Sequence, residues 1–590
     1  MVDPSEFYIH QIATHTEKLQ AVKKKLTVSS VLRLVVFLTT VIGIYLFWSD
    51  KIVLGILIFI GLSSFLLLVL RHSKISHQRD LLTALISKNE TELQVLKGNY
   101  ETLPNGEHYK NPQHFYSEDI DLFGNKSFFQ YLNRTELSEG SDFLAQLLLE
   151  NEISGIEQKQ KAIEELANIP EWRLYFSAVA SLLKTEVSTK FISKWMLEYK
   201  AFVPKFMKPI ALVFSGISIL LIVAYFSTSL SGYVVAAWFG LGLLISGKYL
   251  SRVNQLVAAV SGIQSTFQQF EKLIDEIEKK DFSAPLLKQK KAQIHSDKLK
   301  ASEALKKFAR HLDALDQRSN MIFGIFGNGF LLWDIYQSQH IEKWIATYGK
   351  NVQSWFETII FFDAYNALGN FAFNHPTYVF PSITNDKEIV SVKKAGHPLL
   401  NPKTMIRNDF KIDKEQFFII TGANMAGKST FLRTVSLLLV MGNTGLPVCA
   451  EQMYYRPIKL ITSMRTTDSL TDDESYFFSE LKRLKFIVDQ IQTDEYFIIL
   501  DEILKGTNST DKAIGSKKFV EKLVSGNSTG IIATHDLSLC ELENELPDIK
   551  NYYFDAEIIN DELYFDYTLK KGICKNMNAS FLLRKMKIID

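Results

Sequence analysis

Four long apolar runs, arranged as two close pairs, constrain this chain more than any other feature of its sequence. The first pair covers residues 28–48 and 52–70, and the second covers 209–230 and 231–247. A helix of about 20 apolar residues is long enough to cross the hydrocarbon core of a bilayer. Hydrocarbon offers no hydrogen bonds to an open backbone, so each run should be helical. We therefore predict two transmembrane hairpins, with buried core helices as the alternative.

Basic residues flank both pairs and predict their orientation. The turns inside the pairs carry the Asp50 and Lys51 charges, which cancel, or no charge at all. Basic residues tend to stay on the cytoplasmic side, so the turns should face outward and the polar parts inward. This predicts a multi-pass protein of the cell (inner) membrane, and the polar first 27 residues carry no cleavable signal pattern. The flanking basic residues are Lys23, Lys24, Lys25, Arg71, Lys74, Lys205, Lys208, Lys248 and Arg252.

Overall composition limits the classes of protein to which this chain can belong. The chain has 590 residues, enough for several domains, with 47% hydrophobic and 22% charged residues and a net charge of +1. A charge so close to zero excludes a global attraction to nucleic acid or acidic lipid, so any such binding must come from local patches. The three cysteines form neither a metal-ligand pattern nor a disulfide framework, and we predict that they are buried.

The polar stretches divide the chain into further segments. Residues 1–27 form a cytoplasmic N-terminal segment, and residues 71–208 and 248–385 have the apolar spacing of helices, which predicts a helical core and lever region. Residues 386–590 form a separate C-terminal domain.

Two stretches of the helical region allow more than one interpretation. The apolar run 321–333 is too short to span a membrane and contains Asn328, so we predict a core helix, with contact at the membrane interface as the alternative. The stretch 288–311 has eight basic and two acidic residues. Its default interpretation is a solvated helix face, and contact with a phosphate backbone is the alternative.

A glycine-containing turn after the apolar run 417–420 carries the clearest chemical signal. The stretch GANMAGKS fits the pattern of a phosphate-binding loop between a buried strand and a helix. Such a loop points backbone N–H groups at phosphate oxygens, and the helix N-terminus adds partial positive charge. Lys428 would reach the β- and γ-phosphates, and the Ser429 hydroxyl would bind Mg²⁺. The predicted nucleotide-binding residues are Gly422, Ala423, Asn424, Met425, Ala426, Gly427, Lys428, Ser429 and Thr430.

Two later apolar runs end in groups that complete a hydrolytic site. YFIILDEI, residues 496–503, ends in Asp501, which would hold Mg²⁺, and Glu502, which would polarise the attacking water. GIIATHD, residues 530–536, places His535 just past a strand, where it would sense the γ-phosphate. A solvated carboxylate and a structural histidine are the alternatives for Glu502 and His535.

Three of these motifs together resemble the ATPase domain of the MutS mismatch-repair family, a branch of the ABC-type ATPases. They are TGANMAGKSTFLRTV, LDEILKGTNSTDK and IIATHD. Residues 395–400, 472–481 and 565–588 are similar to the opening, signature loop and closing segment of that domain. Residues 131–149 and 361–381 resemble the start of the family's helical core and the lever that joins it to the ATPase.

The resemblance implies a fold, a partner and further site residues. The fold class is an α/β phosphate-loop ATPase domain of the ABC or MutS type, preceded by a mainly α-helical core and lever region with four transmembrane helices. The family implies a homodimer with ATP sites across the interface, where Ser475 would reach the partner's nucleotide and residues 507–511 would cross. Tyr567 would stack on one face of the adenine ring, and Met405 and Ile406 would pack against the other face of that ring.

Three departures from the family weaken the expectation of mismatch recognition. We expect no room for the mismatch-reading domain in the 27 residues before the first span. The Phe-x-Glu triplet with which the family wedges into DNA occurs at 478–480 and 519–521, both inside the ATPase domain. A membrane hairpin stands where the family has its DNA clamp.

These inferences predict a membrane-anchored, MutS-like ATPase that uses ATP and Mg²⁺. ATP would close the dimer and hydrolysis would open it, coupled to DNA binding in mismatch repair or other DNA processing. The alternatives are an ABC-like transport or lipid-handling ATPase and an ATP-switched membrane scaffold. No charged residue lies deep inside the spans, which counts against a transport path.

Overall fold

A long helical hairpin opens the structure. The computed structural model describes residues 3–182, 187–227, 230–295, 299–465, 476–504, 508–526, 528–559 and 562–574. Helix α1 (Pro4–Leu46) begins after Asp3, whose carboxylate accepts a hydrogen bond from the Ser5 N–H, and α2 (Lys51–Leu96) follows a short turn. An acceptor at this position satisfies an otherwise unpaired N–H group, so it stabilises the helix start. Both helices continue far beyond their apolar runs into the polar part of the chain.

Short helices and a second hairpin follow. They are α3 (Phe128–Leu132), α4 (Ser138–Leu149), α5 (Ile156–Ala167), α6 (Pro170–Ser181), α7 (Thr189–Glu198), α8 (Met207–Ser227) and α9 (Gly232–Val260). Among the described residues, α1, α2, α8 and α9 are long and apolar enough to cross a membrane, judged by length and composition. At most 22% of each apolar stretch is buried within the protein. Most of these apolar side chains therefore remain largely exposed on the surface of the described protein.

The rest of the helical region forms the main core. Its helices are α10 (Ile263–Lys279), α11 (Pro285–Ala292), α12 (Ala301–Asp316), α13 (Met321–Leu331), α14 (Trp333–Tyr348) and α15 (Val352–Asn374). In α10, buried Phe267, Phe270 and Ile274 recur at three- and four-residue spacing, so one face of the helix packs inward. Helix α15 is buried over most of its length and leads to the C-terminal domain. The helical N-terminal region is thus as predicted.

Helix α13 differs from the core helix that we predicted. Met321, Ile322 and Phe326 are 76%, 71% and 56% exposed. The helix packs against α8, α9 and the start of α14, and these contacts leave the three side chains mostly exposed. A run of apolar residues fixes the preference for a helix but not which of its faces is covered.

Asp363 in α15 joins this long helix to α4. Its carboxylate accepts hydrogen bonds from the N–H groups of Glu136, at 3.1 Å, and Leu137, at 3.0 Å. The side chain is buried, and burial raises the pKa of Asp363 from 3.8 to about 8. The folded protein therefore holds a proton at pH values where the unfolded chain has released it.

This raised pKa predicts a pH-dependent stability. The contribution of Asp363 to the free energy of unfolding is greatest below about pH 4 and declines as the pH rises toward 8. We expect the Asp363→Asn variant to lose less stability than the unchanged protein between pH 5 and pH 8. Denaturant unfolding of the detergent-solubilised protein at several pH values measures this. Asp281→Asn, at an exposed site, is the control and should show the same dependence of unfolding free energy on pH as the unchanged protein. If Asp363→Asn and the unchanged protein lost unfolding free energy equally steeply with pH, the assignment would be contradicted.

The C-terminal domain is α/β, as predicted. Its strands are β1 (Ser382–Ile383), β2 (Glu388–Ala395), β3 (Asn408–Asp413), β4 (Phe417–Gly422), β5 (Gln452–Tyr455), β6 (Lys459–Ser463), β7 (Tyr496–Asp501), β8 (Thr529–Ala533), β9 (Ile549–Phe554), β10 (Glu557–Ile559), β11 (Glu562–Tyr564) and β12 (Lys570–Lys571). Its helices are α16 (Lys428–Thr444), α17 (Tyr476–Gln490), α18 (Ser509–Ser525) and α19 (Leu542–Glu545). The cysteines are free and buried, as predicted.

The main sheet has the strand order β12-β9-β4-β8-β7-β6. Strands β9, β4, β8, β7 and β6 pair in parallel, and β12 pairs antiparallel. The central strands β4, β7 and β8 are almost entirely buried, as is typical of a parallel sheet covered by helices on both faces. In register, Ala533 at the end of β8 faces Ile420 of β4 and Asp501 of β7. The residues that follow these three strands therefore meet at one edge of the sheet.

A segment of the helical region that contains Asp119 and Asp121 binds the C-terminal domain through ion pairs and hydrogen bonds. The Asp121 carboxylate forms ion pairs with Arg433 of α16, at 3.2 Å, and with Arg465 past β6, at 2.6 Å. The neighbouring Asp119 accepts hydrogen bonds from the Arg465 N–H and the Thr462 hydroxyl. The helical region thus holds the helix that follows the glycine-containing loop and the chain just before residue 466.

Candidate functional site

The loop between β4 and α16 turns sharply because two of its residues adopt left-handed backbone angles. Gly427 has φ of +104° and Met425 has φ of +68°. A Cβ on Gly427 would lie 3.1 Å from the Tyr567 ring, so glycine serves both the angle and the space there. The loop then delivers Lys428 as the first residue of α16, where free N–H groups of the helix point toward the loop.

Lys428 lies beneath the loop. Its ammonium donates hydrogen bonds to the carbonyl oxygens of Gly422, at 2.8 Å, and Ala423, at 3.0 Å. The Nζ atom also lies 3.3 Å from Nε2 of His535. Burial lowers the pKa of Lys428 from its ordinary value, and the negative charges of Asp501 and Glu502 act in the opposite direction. A buried cation is thus positioned next to two carboxylates.

The hydroxyl and carboxylate that we predicted to bind the metal are in direct contact. Ser429 Oγ donates a hydrogen bond of 2.7 Å to Oδ2 of Asp501. Asp501 ends β7, and Ser429 lies in the first turn of α16. A hydroxyl and a carboxylate oxygen are ligands that Mg²⁺ accepts, and Mg²⁺ completes its shell with water and substrate phosphate. The donor set therefore fits magnesium.

Glu502 is oriented by two contacts with β8 and the residues that follow it. Its N–H donates to the Ala533 carbonyl oxygen at 2.9 Å, and its Oε1 lies 2.8 Å from Nε2 of His535. Its φ of +52° is rare for a residue with a side chain and turns the carboxylate away from the strand direction. Such local strain is common at functional sites, where it holds a reactive group in place.

One cavity of about 560 Å³ gathers most of the predicted residues. Its lining includes Asn424, Met425, Gly427, Lys428, Ser429, Thr430, Asp501, Glu502 and His535, together with Met405, Ile406 and Tyr567. Gly422, at the end of β4, and Ala423 and Ala426 of the loop are not among the residues that line this cavity. The structure therefore brings the polar groups and the three predicted adenine contacts to the same space.

Sequence reasoning assigned no role to several residues that line the cavity, among them Asn408 and His397. Asn408 at the start of β3 donates to the Tyr567 carbonyl oxygen at 3.0 Å and accepts from the Leu569 N–H at 2.7 Å, which fixes the backbone around Tyr567. His397 lines the same cavity, and burial lowers its pKa to about 4, so the ring is neutral at pH 7. Asn408 carries no sequence signal of its own, whereas His397 lies in the stretch 395–400 that resembles the opening of the family's ATPase domain.

Ser475 lies outside the residues that the structure describes, as does Thr507. The rest of the 507–511 segment forms the start of α18, where the Asn508 side chain accepts from the Asp511 N–H at 2.9 Å. The predicted contribution of Ser475 to a second subunit therefore stays a prediction.

Fold and site together define a class of domain. It is a parallel α/β domain in which a glycine-containing loop, a buried lysine and an acidic pair face a single cavity. Residues 418–585 match the family model of MutS domain V. The C-terminal part of the chain is accordingly similar to MutS domain V.

Individual relatives agree with the family match. The chain is 32% identical over 213 residues to MutS protein homolog 4 of Homo sapiens, which is 34% of this chain and 22% of that protein. It is 33% identical over 208 residues to the DNA mismatch repair protein MutS of Aquifex pyrophilus, or 34% of this chain and 24% of that protein. For the MutS protein of Flavobacterium psychrophilum the values are 31% over 245 residues, 40% and 28%. The chain thus spans about a quarter of the length of these relatives.

Proposed function

We propose that this protein is a membrane-anchored ATPase whose C-terminal MutS-type domain binds and hydrolyses ATP with Mg²⁺. One observation carries the proposal. A buried lysine, the Ser429–Asp501 pair and the Glu502–His535 pair all face a cavity of about 560 Å³, which is of the size that small-molecule ligands occupy.

Each side chain has a role in this proposal. Lys428 and the N–H groups at the start of α16 hold the β- and γ-phosphates, and Tyr567, Met405 and Ile406 enclose the adenine. Ser429 and Asp501 hold Mg²⁺, which when bound neutralises charge on the phosphates. Glu502 orients a water molecule for attack on the γ-phosphorus, and His535, in contact with both Glu502 and Lys428, lies where the γ-phosphate would end.

The anchor in this proposal consists of α1, α2, α8 and α9. Their apolar stretches are largely uncovered by the rest of the protein, and a soluble protein rarely exposes apolar patches of such extent. Together with the basic flanks, this supports a multi-pass protein of the cell (inner) membrane with its ATPase domain in the cytoplasm. We further propose a homodimer in which Ser475 contacts the nucleotide of the partner.

We favour a function in which ATP hydrolysis is coupled to DNA binding. The MutS proteins of Aquifex pyrophilus and Flavobacterium psychrophilum are named as DNA mismatch repair proteins, and the basic stretch 288–311 offers a local positive patch. Lysine and arginine side chains in such a patch bind the phosphate backbone of DNA without recognising a particular base sequence. Specific mismatch recognition is not part of the proposal.

The test is the rate of ATP hydrolysis by the purified protein in detergent, with duplex DNA, with lipid and with neither. We expect magnesium-dependent hydrolysis that DNA accelerates at low salt, with the acceleration fading as salt rises because phosphate contacts release counterions. Acceleration by lipid alone would favour the lipid-handling alternative. No response to either would favour the scaffold, and absence of ATP binding would overturn the proposal itself.

A further inference from the structure

Helix α13 and the turn after it form an apolar projection beside the second hairpin. Its outward face consists of Met321, Ile322, Ile325 and Phe326, which are exposed and spaced as one side of a helix. Leu332 follows with φ of +50°, and the chain reverses into α14. Leu332 itself is fully buried in a cluster that includes Phe214 of α8 and Trp238 of α9.

Contacts with α8 and contacts with α9 each show at what depth the tip of this projection, residues 329–332, lies. Ser215 and Ser218 of α8 donate to the carbonyl oxygens of Leu331, at 3.3 Å, and Phe330, at 2.6 Å. These serines lie seven and ten residues past Lys208, which is about 10 to 15 Å along a helix.

Helix α9 places the tip at a similar depth. A Cβ on Gly242 would lie 2.1 Å from the carbonyl oxygen of Gly329, so the two backbones touch there. Gly242 lies six residues before Lys248, or about 9 Å. If Lys208 and Lys248 mark the cytoplasmic boundary, both helices put the tip about 10 Å inside the apolar layer.

Several polar groups at the tip have partners within the protein. Asp334 pairs with Arg318 at 3.0 Å through one carboxylate oxygen, and its other carboxylate oxygen is buried without a hydrogen bond to any described residue. A helix end leaves carbonyl oxygens unpaired, and hydrocarbon contains no water to satisfy them. The two serine hydroxyls serve the carbonyls of Phe330 and Leu331, and Ser218 Oγ also accepts from Trp238 Nε1 at 2.9 Å. At the start of α14, the Asp334 N–H donates to Oδ1 of Asn328 at 3.0 Å. These bonds are what a chain reversal within a membrane requires.

We propose that α13 and the Leu332 turn form a re-entrant element that enters the bilayer from the cytoplasmic side and contacts acyl chains with its outward face. This inference rests on the proposed membrane spans. The lipid hydrocarbon is the occupant because the outward face continues the uncovered apolar surface of α8 and α9, at the same depth. The second hairpin would thus be a bundle of two spans and one half-span.

Spin labels in the full-length protein, reconstituted in phosphatidylcholine–phosphatidylglycerol vesicles, test the proposal. Labels are attached to Ile322→Cys and Phe326→Cys, with Leu220→Cys of α8 as the membrane reference and Lys518→Cys of α18 as the aqueous one; the native cysteines are buried. Collisions with oxygen report lipid, and collisions with a water-soluble nickel complex report water. Ile322 lies about 12 Å closer to the cytoplasmic boundary than the tip does. We therefore expect the oxygen-to-nickel ratio to fall from 220 to 326 to 322, with the ratio at 326 at least tenfold above that at 518 and the ratio at 322 between those two.

The reference sites separate the two ways in which this can fail. A lipid-like ratio at 220 with a water-like ratio at 322 and 326 would overturn the re-entrant element and leave the spans in place. Exclusion of both reagents with spin–spin broadening would also overturn it, and would identify this face as a contact between two copies of the chain. A water-like ratio at 220 would overturn the membrane anchor itself.

Discussion

Replacement of Glu502 by glutamine should lower the rate of ATP hydrolysis by about 100-fold or more, because general-base groups contribute roughly 10²- to 10⁴-fold. Glutamine keeps the shape of the side chain but cannot carry the negative charge that orients and activates water. ATP binding should be preserved, since Lys428 and Ser429 are unchanged. The contact of Glu502 with His535, 2.8 Å in the structure, makes this carboxylate the best placed one in the cavity.

Single-turnover hydrolysis and nucleotide binding on the same preparation measure the effect. Glu557→Gln, an exposed position on β10, is the matched control and should hydrolyse ATP at the unchanged rate. Ordinary turnover in the Glu502→Gln variant would exclude Glu502 as the activating group.

Replacement of Lys428 by alanine should instead weaken ATP binding. A hydrogen bond to a charged group is worth about 1.5 to 3 kcal/mol, so we expect an affinity loss of roughly 10- to 100-fold. In the structure the ammonium is buried beneath the loop and bound to the carbonyl oxygens of Gly422 and Ala423. ATP phosphates would offer it stronger acceptors.

Titration with a fluorescent ATP analogue measures the loss. Lys518→Ala, at an exposed position of α18, removes the same charge from the same domain and should leave the affinity unchanged. Because Lys428 also supports the loop, thermal unfolding of each variant without nucleotide shows whether the domain is intact. Unchanged ATP affinity in an intact Lys428→Ala variant would reject the phosphate-loop assignment.

The centre of the site was predictable from the sequence because it is built from strand ends. Lys428, Asp501 and His535 each follow a short buried run, and parallel strands bring such residues to one edge of a sheet. The helical N-terminal region and the α/β domain followed from periodicity in the same way.

The remaining parts depend on contacts between distant residues. Asn408 holds the backbone near Tyr567 across 159 positions, and Asp121 reaches Arg465 across 344. No local pattern reports such pairs. For α13 the sequence favoured a core helix and left contact at the membrane interface as the alternative, because an exposed apolar helix and a core helix have the same composition.

The unbroken length of α1 and α2 has a mechanical consequence. Near their polar ends, Asn374 at the close of α15 accepts from the Tyr8 hydroxyl and donates to Glu92, each at 2.8 Å. The same α15 leads into the ATPase-like domain. A rod of 43 residues is about 65 Å long, so a pivot of about 5° at this joint displaces its far end by about 6 Å. Under the proposed ATPase function and membrane anchor, small rearrangements at the nucleotide would move the turn between α1 and α2 by several ångströms at the opposite face of the bilayer.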